Sequence, residues 1–250
     1  MSRDADLAGT TVILTRARED SAALASELRG SGADVIELPC VRTEPLDDTA
    51  ELRDVIAGLG RADLLVLTSR AGAEAVAAAM PHDGIRCDVA AVGHATAARA
   101  RSLGMRVGFV ASHADGRTLA RELTLPPGEV VLARSDLADP DLPLSLSARG
   151  ARVREVTAYR TIARAAGDTA AVRAAVGRGR AVVVVASPSA ADALAAAIDP
   201  ETLRRAAFVA VGPRSAERVR ERVGTGAVIA AAPDVQAIVA AIRSRQAAVP

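Results

Sequence analysis

The residues of this chain best suited to chemistry are hydroxyl and glycine residues that directly follow short apolar segments. Four such places precede a predicted helix: Thr68-Ser69, Gly93 to Thr96, Ser187 to Ser189 and Gly212 to Ser215. In an open parallel sheet, ligands bind at the edge where the carboxyl ends of the strands meet. The first N–H groups of a helix are unsatisfied there and bind phosphate or carboxylate without a lysine. This pattern predicts an anion-binding edge.

Arginines follow two further strand candidates and could hold carboxylates through paired hydrogen bonds. Serine and threonine at such positions are also ordinary helix N-caps, so each residue alone has a purely structural explanation. The functional hypothesis depends on all of them sharing one edge of a sheet, in two domains that could face each other. The predicted substrate-binding residues are Arg16, Thr68, Ser69, Gly93, Thr96, Arg134, Ser187, Ser189, Gly212 and Ser215.

Composition excludes several classes of enzyme. The chain has no lysine, so a Schiff base with pyridoxal phosphate and a Walker-A nucleotide site are excluded unless a partner supplies the lysine. Neither Gly-x-Ser-x-Gly nor Gly-x-Gly-x-x-Gly occurs, which argues against hydrolases and dinucleotide enzymes. His82, His94 and His113 lack metal-site spacing, so we expect no metal site.

Charge and hydropathy indicate the partners and the compartment. The net charge is +1 and no acidic or basic block occurs, so we expect no nucleic-acid or membrane partner. The most apolar run, around Val182 to Ala186, is far shorter than a membrane span. Cys40 and Cys87 are isolated and no signal peptide opens the chain, which favours a reducing, cytoplasmic location.

Short β-branched segments alternate with helical segments along the whole chain. This order is typical of parallel sheets covered by helices on both faces. We count ten strands. The segment from Cys40 to Asp47 has no clear periodicity and contains Pro45, so we interpret it as a connector.

A repeat with a spacing of 118 residues predicts that the ten strands form two sheets of five. At this spacing Thr15-Arg16 matches Ala133-Arg134, and Thr68-Ser69 matches Ala186-Ser187. The longer segment Gly32-Ala33-Asp34-Val35 likewise matches Gly150-Ala151-Arg152-Val153. Val92-Gly93 matches Val211-Gly212 with one residue added. Several matches in register indicate a duplicated unit. The repeat alone fits either two consecutive domains split near Pro126 or an exchanged arrangement.

One repeated segment carries the only tyrosine of the 250 residues. Ala158-Tyr159-Arg160-Thr161 matches Cys40-Val41-Arg42-Thr43, again 118 residues apart. Since position 41 is valine, the duplicated unit does not itself require an aromatic residue there. The tyrosine is therefore either a packing residue at a connector or a functional hydroxyl.

The motifs together resemble the uroporphyrinogen-III synthase family from about residue 10 to 245. Each motif is weak alone, and their order and spacing carry the resemblance. They are Thr15-Arg16, Gly-Ala-x-Val before Pro39, Leu-Thr-Ser-Arg-Ala at 67–71, Ala91-Val92-Gly93-His94-Ala95-Thr96-Ala97, Glu155-Val156-Thr157-Ala158-Tyr159-Arg160-Thr161, Ala186-Ser187-Pro188-Ser189 and Val211-Gly212-Pro213.

The resemblance implies an α/β protein of two doubly wound, parallel-sheet (flavodoxin-like) domains joined by a two-stranded hinge, with an interdomain cleft. Residues 1–39 and 162–250 would form the first, discontinuous domain. Residues 41–157 would form the second. The hinge segments would be 39–45 and 158–164.

The resemblance also implies a cofactor-independent hydro-lyase. Its substrate would be hydroxymethylbilane, a linear tetrapyrrole with eight carboxylates, which the family cyclises with loss of water and inversion of the last ring. Tyr159 matches the family tyrosine credited with helping the hydroxyl to leave, and Ser69, Thr96, Ser187 and Ser189 match residues of the cleft. Arg214-Ser215 departs from the usual threonine pair, so substrate specificity could differ. We expect a monomer that binds only this small molecule.

Two other functions fit part of the pattern. A non-catalytic two-domain sensor of a tetrapyrrole or another small anion would use the same junctions and hinge. A glycosyltransferase-like enzyme with two doubly wound domains is less favoured, because no nucleotide-sugar signature occurs.

Overall fold

In the computed structural model, which describes residues 7–246, short strands alternate with helices. The first part of the chain forms β1 (Thr11–Leu14), α1 (Arg18–Gly30), β2 (Asp34–Glu37), β3 (Val41–Pro45), α2 (Ala50–Gly58), β4 (Leu64–Leu67), α3 (Arg70–Ala79), β5 (Asp88–Ala91), α4 (His94–Ser102), β6 (Val107–Val110) and α5 (Gly116–Glu122). The second part forms β7 (Glu129–Ser135), α6 (Asp141–Ala148), β8 (Arg152–Ala163), α7 (Thr169–Gly177), β9 (Ala181–Val185), α8 (Pro188–Ala197), α9 (Pro200–Leu203), β10 (Ala207–Ala210), α10 (Pro213–Val223), β11 (Val228–Ile229) and α11 (Val235–Gln246).

The chain folds into two compact units. Unit 1 comprises the chain up to Arg42 and from Ile162 onward, and unit 2 comprises Thr43–Thr161. The chain therefore passes between the units twice, at the start of β3 and at the end of β8. These two strands are neighbours in one sheet.

Unit 1 contains a five-stranded sheet with the order β2-β1-β9-β10-β11, and its pairings are all parallel. Numbered along the unit this order is 2-1-3-4-5, that of flavodoxin-like folds. Every residue of β1 and β9 is buried, as expected for β-branched central strands covered on both faces. Helices α7, α8 and α10 pack on one face, and α1 and α11 on the other.

Unit 2 repeats this order. Its strands β8-β7-β4-β5-β6 are parallel neighbours, and β3 lies beyond β8 as a sixth strand. The spacing of 118 residues equates β7 with β1, β8 with β2 and β4 with β9, so both sheets have the same order with a different chain start. Gly32 and Gly150, which precede β2 and β8, have matching left-handed φ values of 87° and 90°.

The fold class predicted from the sequence is confirmed, with two corrections to its details. The segment around Cys40 to Asp47 is not only a connector, because Val41–Pro45 forms β3 beside β8. The sheets consequently have five and six strands, not five and five. The sequence hides β3 because it is mostly exposed and ends at a proline, which edge strands tolerate.

Candidate active site

Tyr159 lies in β8 at the carboxyl edge of the unit 2 sheet, and its hydroxyl contacts the start of α3. The Tyr159 Oη and Ser69 Oγ atoms are 2.9 Å apart, a hydrogen bond in which either hydroxyl can donate. Ser69 is the N-cap of α3, and its Oγ also accepts from the Gly72 N–H at 2.9 Å. The phenol is therefore held at a helix N-terminus, where negative charge is stabilised.

A break in strand register turns Tyr159 toward this helix. Arg134 of β7 lies opposite Thr157, but Ser135 lies opposite Tyr159, so β8 contains one extra residue at this point. Such bulges re-aim side chains. We call the buried cluster on the α3 side, which includes Ala73, Val76 and Val156, the α3-side core.

The burial of β8 follows from this bulge. Val156 and Ala158 face the α3-side core, as strand alternation requires. Val153 faces the opposite cluster, beside α5 and α6. A regular strand would place Tyr159 on the same face as Val153. Instead Tyr159 packs against the α3-side core, and its hydroxyl reaches Ser69.

Gly72 leaves room for the tyrosine. A Cβ atom at this position would lie 3.0 Å from the Ala133 carbonyl oxygen, 3.2 Å from Ser69 Oγ and 3.8 Å from Tyr159 Cε1. The first two distances are tighter than ordinary packing allows. Sequence reasoning missed Gly72, although its partner in the repeat, Ala190, carries a Cβ at the matching position of α8.

The environment keeps the phenol protonated. Burial is the largest effect and raises the pKa of Tyr159 above its ordinary value. The hydrogen bond from Ser69 and the positive charge of Arg134 lower this pKa in part, and the negative charge of Asp136 raises it. With a net increase, Tyr159 is a hydrogen-bond donor at neutral pH.

Arg134 is buried beside this site, and two nitrogens of its guanidinium form hydrogen bonds within unit 2. Its side chain donates to the Asp139 carbonyl oxygen at 2.8 Å and to the Glu155 carboxylate. The residue is 6% exposed, and its Nε has no partner among residues 7–246. Arg134 thus supplies positive charge near Tyr159, while its outer edge is already paired.

The other predicted residues of unit 2 line the same edge of the sheet. Thr68 is half-buried at the end of β4. Gly93 is the N-cap of α4, where a Cβ would lie 2.7 Å from the Ala114 Cβ, so a side chain does not fit. Thr96 follows in the first turn of α4 and is 6% exposed.

The predicted residues of unit 1 lie at the matching edge of the other sheet. Ser187 caps α8 by accepting from the Ala190 N–H at 3.1 Å, and Ser189 is half-buried in the first turn. Gly212 is the N-cap of α10, and Ser215 is only 4% exposed. Arg16 is half-buried and follows β1.

The described part of the chain offers little for metal or thiol chemistry. Among residues 7–246 no group of three His, Cys, Asp or Glu residues could hold a metal ion. Burial raises the pKa of Cys40 to about 12 and that of Cys87 to about 11, so both stay as thiols at neutral pH. Over the same residues, no helix has the length and hydropathy needed to cross a membrane.

Solved structures of uroporphyrinogen III synthases have the same fold as this chain. A mutant of the enzyme from the extremely thermophilic bacterium Thermus thermophilus matches with a TM-score of 0.59 and 21% identity, over 96% of this chain and 99% of that one. The synthetase from Helicobacter pylori 26695 also gives a TM-score of 0.59, at 15% identity, over 94% and 99% of the two chains. At these identities the matches establish the fold.

Sequence comparisons identify the family. The chain is 29% identical over 161 residues to the uroporphyrinogen-III synthase of Synechococcus elongatus, an alignment that covers 61% of each chain. It is 27% identical over 164 residues to the porphyrin biosynthesis protein HemD of Ruminiclostridium josui, over 62% of this chain and 32% of that protein. The matches thus span about three fifths and one third of these relatives. Because the family model for uroporphyrinogen-III synthase HemD matches residues 22–240, this chain belongs to the uroporphyrinogen-III synthase family.

Proposed function

We propose that this protein cyclises hydroxymethylbilane to uroporphyrinogen III, with loss of water and inversion of the last pyrrole ring, in tetrapyrrole (haem) biosynthesis. The observation that carries the proposal is the phenol of Tyr159, 2.9 Å from the helix-capping hydroxyl of Ser69 at the carboxyl edge of a parallel sheet. Family membership supports this reaction, and the protonated phenol of Tyr159 is the donor that we propose for it.

Loss of water from the substrate requires a proton donor beside the leaving hydroxyl. The pyrrole nitrogens of the substrate supply the electrons that expel this hydroxyl, and Tyr159 donates a hydrogen bond to it as it departs as water. General-acid help of this kind contributes roughly 10²–10⁴-fold. Ser69 holds the phenol in place, and the proton that the attacking pyrrole carbon releases on ring closure restores the one that Tyr159 gives to the departing hydroxyl. The cation that remains then closes the ring, so positioning of the chain ends dominates the second step.

The carboxylates of the substrate match the helix N-termini at the edges of both sheets. We propose that these termini, with the nearby hydroxyls and arginines, bind the acetate and propionate groups. The residues in this role are Arg16, Thr68, Ser69, Gly93, Thr96, Arg134, Ser187, Ser189, Gly212 and Ser215. Since Thr96 and Ser215 are buried, we expect their helix N–H groups to contribute more than their side chains. Arg134 acts through its charge, since its outer edge is paired.

The reaction needs no metal and no organic cofactor in this proposal. The free, buried thiols of Cys40 and Cys87 suit a reducing compartment, and we place the protein in the cytoplasm as a monomer that binds the small-molecule substrate alone. Gel filtration beside light scattering measures the oligomeric state.

The decisive test supplies hydroxymethylbilane made enzymatically and follows the product isomers. We expect the type III isomer to form faster than spontaneous closure forms type I. Type I alone would contradict the proposed activity. Tight binding of hydroxymethylbilane without type III product would instead favour the non-catalytic sensor.

A further inference from the structure

A polar cluster with no role in capping or core packing lies just beyond the bulge in β8. Ser135 Oγ is 2.6 Å from Thr161 Oγ1 and donates to Asp136 Oδ1 at 2.9 Å. The Thr161 N–H donates to the same Asp136 oxygen at 2.8 Å. We call Ser135, Asp136 and Thr161 the bulge clamp.

The clamp forms hydrogen bonds with the β8 backbone on both sides of Arg160. The Asp136 N–H donates to the Tyr159 carbonyl oxygen at 3.2 Å, while the Asp136 side chain accepts from Thr161 N–H. One residue therefore bonds the backbone of the tyrosine and of the residue two positions later. On the other side of the bulge, Arg134 bonds Glu155 across the same pair of strands. The extra residue of β8 thus lies between the Arg134–Glu155 ion pair and the hydrogen bonds of Asp136.

Two of the three clamp residues are replaced at the corresponding positions of the repeat, whereas Thr161 corresponds to Thr43. At a spacing of 118 residues, Ser135 corresponds to Ala17 and Asp136 to Arg18, while Tyr159 corresponds to Val41. Yet Leu38, Cys40 and Val41 all pack on one cluster, so this segment loses its alternation as β8 does. The change of face belongs to the duplicated scaffold, whereas the Ser135 hydroxyl and the Asp136 carboxylate accompany the tyrosine.

We propose that Asp136 is a positioning residue, which with Ser135 and Thr161 fixes the bulged backbone of β8 and so keeps the Tyr159 hydroxyl on Ser69. Its effect on turnover rests on the function proposed above. Its effect on the tyrosine does not. A displacement of about 1 Å at a reacting group can cost on the order of 100-fold in rate, so a clamp on the backbone of the donor itself is significant.

The ionisation of Tyr159 can be measured directly by ultraviolet spectroscopy. The chain has one tyrosine and no tryptophan, so the ultraviolet change on phenolate formation reports Tyr159 alone. Arg134 and Asp136 are the charged groups that act on this phenol, and Ser69 is its hydrogen-bond partner. We expect loss of the Asp136 side chain to increase the exposure of the phenol and to remove a negative charge, and both changes would lower the pKa of Tyr159.

The experiment compares Asp136→Ala, Asp136→Asn and Ser135→Ala with the parent protein. We expect Asp136→Ala to lower the pKa of Tyr159 toward the ordinary value and to reduce kcat about 10- to 100-fold with little change in KM. Asp136→Asn keeps an oxygen acceptor for Thr161 N–H, so it should recover most of kcat. Ser135→Ala tests the clamp with a smaller change if Asp136→Ala does not fold.

The matched control is Asp63→Ala. The Asp63 carboxylate, like that of Asp136, accepts backbone hydrogen bonds in unit 2, here from Gly60 and Glu129, but it lies at the opposite end of the strands. We expect Asp63→Ala to lower the free energy of unfolding and to leave the pKa of Tyr159 unchanged. The proposal is overturned if Asp136→Ala and Ser135→Ala titrate like the parent, or if Asp136→Asn loses as much kcat as Asp136→Ala. A parent protein without turnover would defeat the proposed function, while the titration would still decide on the clamp.

Discussion

The carboxyl edges of the two sheets are built alike, and only one of them carries the phenol. Ser69 and Ser187 both cap a helix, and their backbone angles agree within 2° (φ −155° and −153°, ψ 161° in both). The capping hydrogen bonds are 2.9 Å and 3.1 Å long. The duplicated scaffold therefore provides a serine-capped helix N-terminus, the proposed anion-binding group, twice.

The difference lies in what surrounds the capping serine. In unit 2 Tyr159 contacts Ser69, and Gly72 leaves room for its ring. In unit 1 the corresponding residues are Val41 and Ala190. The proposed binding groups are thus repeated, whereas the proposed proton donor, its glycine, and the Ser135 and Asp136 side chains of its clamp occur in one copy. The comparison predicts that paired substitutions in the two units have unequal effects.

Tyr159→Phe should have the largest effect. It removes the donor and keeps the ring, so we expect formation of uroporphyrinogen III to slow by about 10²–10⁴-fold. The free energy of unfolding should change by only about 1 kcal/mol, the typical value of one hydrogen bond. Product isomers and urea unfolding measure the two quantities. Val41→Ala in unit 1 is the control, and turnover near the parent rate in Tyr159→Phe would remove the donor role.

Gly72→Ala should have the next largest effect. The added Cβ presses on Ser69 Oγ and the Ala133 carbonyl oxygen, so we expect a loss of kcat of about 10-fold by displacement of the phenol. The reverse change in unit 1, Ala190→Gly, should leave kcat unchanged and cost about 1 kcal/mol of helix stability. Equal kinetic effects in the two variants would show that the edges do not differ in the way proposed.

Ser69→Ala and Ser187→Ala separate capping from chemistry. Each removes an N-cap, and each should cost about 1 kcal/mol in the free energy of unfolding. Only Ser69→Ala removes the hydrogen bond that lowers the pKa of Tyr159, so that pKa should rise in Ser69→Ala and stay constant in Ser187→Ala. Ultraviolet titration of the single tyrosine measures this. A rise in both variants, or in neither, contradicts the assignment.

The smallest effect concerns acid stability. Backbone hydrogen bonds from Glu129 and Gly60 lower the pKa of Asp63 in unit 2, and the corresponding residue of unit 1 is Ala181. A lowered carboxyl pKa contributes stability above the pKa of the unfolded state, and this contribution is lost as pH falls through the folded-state pKa. Asp63→Asn should therefore destabilise unit 2 at neutral pH and match the parent in acid. A difference independent of pH would contradict this.

The sequence predicted the fold class because buried β-branched segments such as Val182–Val185 leave few alternatives. It did not predict β3, since exposed Arg42 and Thr43 give no apolar pattern. The candidate site was only partly predictable. The helix-capping serines have a local signature, and the family resemblance pointed to Tyr159.

Other features of the site have no local signature. The contact between Tyr159 and Ser69 joins residues 90 positions apart. The register shift that directs the ring depends on strand pairing, which composition does not encode. The importance of Gly72 could be predicted from the sequence only by comparing it with Ala190, its counterpart in the repeat.

The central claim is that a protonated Tyr159 phenol promotes loss of the substrate hydroxyl. It is tested most directly by measuring type III product formation and phenol ionisation over the same alkaline range, with circular dichroism to verify the fold. Because the Tyr159 pKa is raised, we predict that kcat persists above the ordinary tyrosine pKa of about 10 and then falls in step with phenolate absorbance. Turnover that continues after the phenol has ionised in the folded protein would contradict the account.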